Sequence, residues 1–71
     1  MTICIVTFKV WDEYDLAYNP TLFATITRKY PQKLNNKYLT KFDFCTLVLA
    51  ELPEFSVVEA ISVVEKTQGE L

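Results

Sequence analysis

The chain offers few side chains able to do chemistry. It has no histidine, two cysteines and nine carboxylates. Without an imidazole there is no histidine general base, no Ser–His or Cys–His nucleophile pair and no histidine-containing zinc site. Two cysteines cannot close a structural zinc site within one chain, and haem or iron–sulfur ligation has no support. Cys4 and Cys45 both sit inside apolar runs, ICIVTF and DFCTLVL, where a free thiol behaves as a small hydrophobe. They read as buried thiols of a protein kept in a reducing cytoplasm. Asp12, Glu13 and Asp15 place three oxygen donors close together. An EF-hand-like cation loop needs alternating ligands and a glycine, and DEYDLAYNP has neither. Paired carboxylates for acid–base work need a cleft that raises one pKa. These acids read instead as a solvated loop. No enzyme, cofactor or metal is expected.

The basic residues are more informative. The net charge of −2 divides unevenly along the chain. Between Leu16 and Phe42 lie Arg28, Lys29, Lys33, Lys37 and Lys41 with no acid, giving +5. The remainder carries Lys9 and Lys66 against all nine acids, giving −7. The acids gather at 12–15, at Glu51 and Glu54, and at Glu59, Glu65 and Glu70. Tyr30, Tyr38, Asn35 and Asn36 interleave with the bases. Such a segment suits an acidic protein surface, which it would also steer towards itself. It also suits nucleic acid, with lysines on phosphates and tyrosines stacked on unpaired bases. The plain alternative is a solvated loop whose lysines keep a sheet edge soluble. A sequence pI near 4.9 weighs against nucleic acid, because such binders carry a basic domain.

These residues need elements to hold them. Residues 2–11, TICIVTFKVW, alternate as a strand does. Cys4, Val6, Phe8 and Val10 make the better core face, and Ile3, Ile5 and Trp11 leave the other face partly apolar. Residues 12–20 read as a loop, since Asn-Pro favours a turn. Residues 21–30, TLFATITRKY, read as a second strand, antiparallel to the first and ended by Pro31. Asn35-Asn36 suits a tight turn, because asparagine tolerates positive φ, so 31–39 could form a short hairpin arm. Thr40 reads as a helix N-cap with Asp43 in the first turn. The helix that follows carries a stripe of Phe42, Cys45, Leu49 and Leu52 beside Val48, and Pro53 ends it. A strand through Phe42, Phe44, Thr46 and Val48 is the alternative, outweighed by the cap, the proline stop and the helix formers Leu, Ala and Glu. For 54–67, Ser56-x-x-Glu59 is a capping box and Gly69 a helix stop. Against a helix, five of the ten residues from Val57 to Lys66 are Val or Ile, which favours a strand.

The expected fold is therefore α+β: one domain over residues 1–71, ββαβ, with one helix on a mainly antiparallel three-stranded sheet. A ββαα order is the alternative. No apolar run approaches the ~20 residues that span a bilayer. Met1 leads directly into a strand-like segment without a basic leader, so no secretory signal is expected.

A single helix covers one sheet face. Ile3, Ile5, Trp11 and Phe23 are then left over, with Phe44, Val57, Ile61 and Val63 as further candidates. A 71-residue chain buries only ~60% of its unfolded surface, and a contiguous apolar patch on a monomer is unusual. A symmetric homodimer over the open sheet face would cover it with one patch used twice.

No family motif is present. The size and α+β design resemble those of many small stand-alone proteins of phages and mobile elements that bind and block a host protein, a likeness of architecture alone. The expectation is a non-enzymatic interaction protein, an inhibitor or adaptor. Its binding residues would be Arg28, Lys29, Tyr30, Lys33, Lys37, Tyr38 and Lys41 on the basic segment, with Ile3, Ile5, Trp11 and Phe23 on the sheet. A small nucleic-acid-binding protein using the same basic segment is the alternative, told apart by a steep loss of binding with salt.

Overall fold

The computed structural model describes residues 2–67. Gly69 and Glu70, read above as a helix stop and as part of an acidic cluster, lie outside the described residues. The chain runs β1 (Thr2–Trp11), α1 (Glu13–Tyr18), β2 (Ala24–Pro31), β3 (Lys33–Leu34), β4 (Lys37–Tyr38), α2 (Lys41–Glu51) and β5 (Val57–Thr67). β1 is the centre of a three-stranded antiparallel sheet ordered β2-β1-β5, and β3 and β4 form a separate small hairpin. One helix, α2, packs on the sheet, so the domain is α+β as expected. Among the described residues no helix is long and apolar enough to cross a membrane.

The alternation in β1 determines which face is covered. Cys4, Val6, Phe8 and Val10 are at most 3% exposed and meet Phe44 and Val48 of α2. Antiparallel pairing brings Tyr30, Arg28, Ile26 and Ala24 of β2, and Val63, Ala60 and Val58 of β5, onto the same face. Ile26, Tyr30, Val58, Ala60 and Val63 extend the core from the two outer strands. Val63, read above as a leftover, is part of it.

Residues 57–67 are a strand because β-branched residues fit a pleated surface better than a helix. Their register slips once, between the Thr7–Ser62 and Phe8–Ala60 pairs, leaving Ile61 as the extra residue of a bulge. The bulge bends the outer edge of β5 and interrupts its row of free backbone groups.

α2 starts where Thr40 and Asp43 were expected to start it. The Thr40 hydroxyl accepts from the Asp43 amide at 3.3 Å, and the Thr40 amide donates to Asp43 Oδ2 at 2.9 Å. The helix ends at Glu51, with Leu52 as its cap and Pro53 beyond. Its buried face differs from the stripe read in the sequence. Phe44 and Val48 are buried, Cys45 and Leu52 are partly buried, and Phe42 is 78% exposed. The helix is apolar around most of its circumference, so periodicity does not choose a side. Residues two apart lie ~200° apart on a helix, so seating Phe44 on β1 turns Phe42 outward.

The segment after Trp11 holds a short helix where a plain loop was expected. The Asp12 carboxylate accepts from the Asp15 amide at 2.6 Å and caps α1, with Glu13 and Asp15 in the first turn. Acids suit that end of a helix. The acidic triplet is thus used for capping, and the described residues contain no group of three or more potential metal ligands. The chain then folds back: Trp11 Nε1 donates to the Pro20 carbonyl at 3.2 Å, and Phe23 meets the Trp11 ring edge-on at 5.6 Å.

Candidate functional site

The basic segment does not form one surface. The pleat of β2 sends its residues to alternate faces. Arg28 and Tyr30 point to the helix side, opposite Val6 and Cys4, and Lys29 points to the open side, opposite Ile5. Tyr30 is a structural residue. Its ring stacks on Phe44 at 5.6 Å and its hydroxyl donates to Glu51 Oε1 at 2.6 Å. Burial, then the Glu51 carboxylate, push the Tyr30 phenol well above its ordinary range. Arg28 Nε lies 4.0 Å from Glu51 Oε2. α2 lies closer to β5 than to β2, and these side chains cover the part of the sheet that the helix leaves open. The structure therefore takes Tyr30 out of a free basic arm and leaves Arg28, with its side chain 39% exposed, at the edge of ion-pair distance from Glu51.

Lys33, Lys37, Tyr38 and Lys41 lie on the arm and the start of α2, and the hairpin β3–β4 sets Lys33 and Tyr38 on one of its faces and Leu34 and Lys37 on the other. Asn35 and Asn36 have φ of 54° and 63°. A two-residue hairpin loop of the I′ type needs positive φ at both central positions, which asparagine accepts more readily than most residues. The turn pairs Lys33 with Tyr38 and Leu34 with Lys37. Lys33 Nζ lies 4.8 Å from the centre of the Tyr38 ring, a cation–π contact. The Gln32 amide donates to the Thr2 carbonyl, and the Leu39 amide to the Gln32 carbonyl. These bonds hold the arm at the end of the sheet where α2 begins.

Between the arm and α2 lies an apolar recess of about 240 Å³, lined by Leu34, Leu39, Phe42, Asp43, Thr46 and Leu47. Leu34 is 50% exposed. The recess is smaller than the roughly 300–1,000 Å³ of small-molecule pockets, a size that suits an inserted side chain. Lys33, Lys37 and Lys41 belong to the elements that build it. Lys41 occupies the first turn of α2, where a positive charge opposes the helix dipole by ~0.3–1 kcal/mol. Asp43 is the acid at this end. Its hydrogen bonds from Thr40, and then Lys37, hold its carboxyl below the usual range.

The sheet residues expected to bind divide likewise. Ile3 and Ile5 lie on the open face, half-buried, beside Val64, which is 48% exposed and was not singled out in the sequence. Trp11 is 8% exposed, covered by its own chain, and is removed from the open surface. Phe23 remains 37% exposed, packed on Trp11 with Lys9 Nζ 4.5 Å from its ring centre. Phe44, once a candidate leftover, is core. Phe42, Leu34 and Leu47 were missed because the helical stripe assigned Phe42 to the core. Leu34 beside the Asn-Asn turn was the available signal: an apolar residue on a two-residue strand has little of its own to pack on.

Comparison of the chain with protein-family models, with curated proteins and with solved structures gives no match.

Proposed function

We propose that this chain is a non-enzymatic protein-interaction module, and that it binds through the end of the molecule formed by the β3–β4 arm and the first half of α2. One observation carries the reading. Phe42 and Leu34, 78% and 50% exposed, flank an apolar recess whose supporting elements carry Lys33, Lys37 and Lys41. Large exposed apolar side chains inside a charged rim are the anatomy of a binding surface. The complementary partner is an acidic protein segment bearing an apolar anchor, as an inhibitor or adaptor of a host protein would meet. Two free cysteines, one buried and one half-buried, favour a reducing compartment such as the cytoplasm.

Nucleic acid is the second reading, favoured by Tyr38, 60% exposed beside Lys33. The engagement of Tyr30 with Glu51 weakens it by removing one of the residues it would use.

The test is affinity capture from a host lysate with three proteins: the wild type, Phe42→Ser, and a variant with glutamate at Lys33, Lys37 and Lys41. The expected result is one defined protein partner, lost with either variant while circular dichroism stays native. Capture unchanged by both variants would rule the surface out. Capture of nucleic acid that is lost with the lysine variant and with rising salt, but not with Phe42→Ser, would select the second reading.

A further inference from the structure

The molecule is elongated, 47 × 23 × 15 Å, and its two ends differ in charge. At the arm end stand Lys33, Lys37 and Lys41, with Lys29 and Lys66 on the nearby rows of the sheet. At the other end, directly after β1, stands α1 with Asp12, Glu13 and Asp15. α1 also carries two of the most exposed aromatic rings in the described chain. Tyr14 is 68% and Tyr18 71% exposed, four residues apart, with ring centres at 4.8 Å. An acidic element with exposed aromatic anchors suits an apolar recess at the basic end of the molecule, where Lys37 stands near Asp43 of the lining.

Resting on the reading of that recess as a binding surface, we propose that its occupant is a second copy of this chain: α1 of one molecule seats Tyr14 and Tyr18 on Leu34 and Phe42 of the next. The ends of β1 separate the two surfaces, so they cannot meet within one molecule. Symmetric pairing through these two surfaces is disfavoured: recess against recess opposes the lysines with themselves, and α1 against α1 opposes its acids. Pairing through the open sheet face, which carries Lys9, Lys29, Lys66 and Glu59, is told apart by the variants below. A head-to-tail contact instead closes into a ring or grows as an open chain, and opposite charges at the two ends set its direction.

Sedimentation velocity on three proteins tests this: the wild type, an α1 variant (Tyr14→Ser with Tyr18→Ser) and a recess variant (Leu34→Ser with Phe42→Ser). All four residues are exposed, and circular dichroism checks each fold. The wild type should gain mass with concentration and lose it with rising salt. Each variant alone should weaken association roughly tenfold or more, the scale of an aromatic hot spot. Mixed, the two variants should form a one-to-one heterodimer that grows no further, because each retains the surface the other lacks. A monomeric wild type, a symmetric dimer unaffected by the variants, or a mixture that forms no heterodimer would overturn the proposal. If the wild type stays monomeric while the recess variant loses a captured host protein, the interaction surface stands and the second copy as occupant falls.

Discussion

Phe44 and Phe42 leave the same stretch of α2 and meet opposite surroundings. Phe44 is 2% exposed, stacked on Tyr30 and packed against β1; Phe42 is 78% exposed above the recess beside the arm. The side chains are identical and both neighbour Asp43. What separates them is the angle between them on the helix and the fact that there is only one sheet to dock on. The sheet-facing side of α2 holds the fold together, and the arm-facing side is the one proposed for recognition. Stability and binding should therefore respond to different substitutions on one helix.

The largest expected effect breaks the sheet-facing side. Phe44→Ala should cost ~3–5 kcal/mol, the range for truncating a buried phenylalanine. Chains of this size have only about 4–11 kcal/mol in total at ~0.05–0.15 per residue. Denaturant titration should show a large drop in midpoint or no folded baseline. Phe42→Ser, titrated the same way, should stay within ~0.5 kcal/mol of wild type. A comparable loss for both would dissolve the distinction between the two sides.

Thr40→Ala comes next. It removes the cap from the end of α2 that supports both sides, at a cost of about 1 kcal/mol in chemical unfolding. The capping box also has a pH signature. The Asp43 carboxyl is held below its ordinary 3.8 by Thr40, so its contribution is complete above that value and is lost as pH falls through the lower, folded pKa. Asp43→Asn should flatten this acid limb of the stability curve. The Tyr30 phenol is shifted the other way, above its ordinary 10.0. Its contribution is complete below pH 10 and falls as pH rises towards the folded pKa. Tyr30→Phe should therefore flatten the alkaline limb.

The smallest effect grades the interior without disturbing it. Cys4 is 3% exposed and burial raises its thiol pKa, whereas Cys45 is half-buried on the flank of α2. A disulfide reagent should label Cys45 first in the native protein and Cys4 only at the rate of unfolding. Equal rates would show that the core opens more readily than its burial implies.

Some of this was legible in residue types alone. The alternation of Cys4, Val6, Phe8 and Val10 named the core face, Thr40 and Asp43 marked the start of α2, and the β-branched run after Ser56 marked β5. Each signal is local, carried by residues within a turn or a few positions of one another. The Asp12 cap of α1 is local too, but it lay inside a run of acids that also reads as solvated loop. The proposed binding surface is only half legible. Its lysines and Asn35-Asn36 are visible in the sequence, but the helical stripe assigns Phe42 to the core although it is 78% exposed, and the basic run assigns Tyr30 to the surface although it is half-buried against Phe44.

The chain's own residue order settles the parity of β1, the caps, the turn at Asn35-Asn36 and the division of charge into a basic middle and acidic flanks. Those follow from backbone sterics and periodicity, which act over short distances. The tertiary structure alone decides which apolar side of α2 docks, that Tyr30 and Arg28 turn to Glu51, that Trp11 is covered by its own loop, and that opposite charges end at opposite ends of the sheet. The reason is that α2 is apolar nearly all round and β2 alternates charged residues across both faces. Their orientation is set by the partner surface each packs against, and that surface comes from residues distant in sequence.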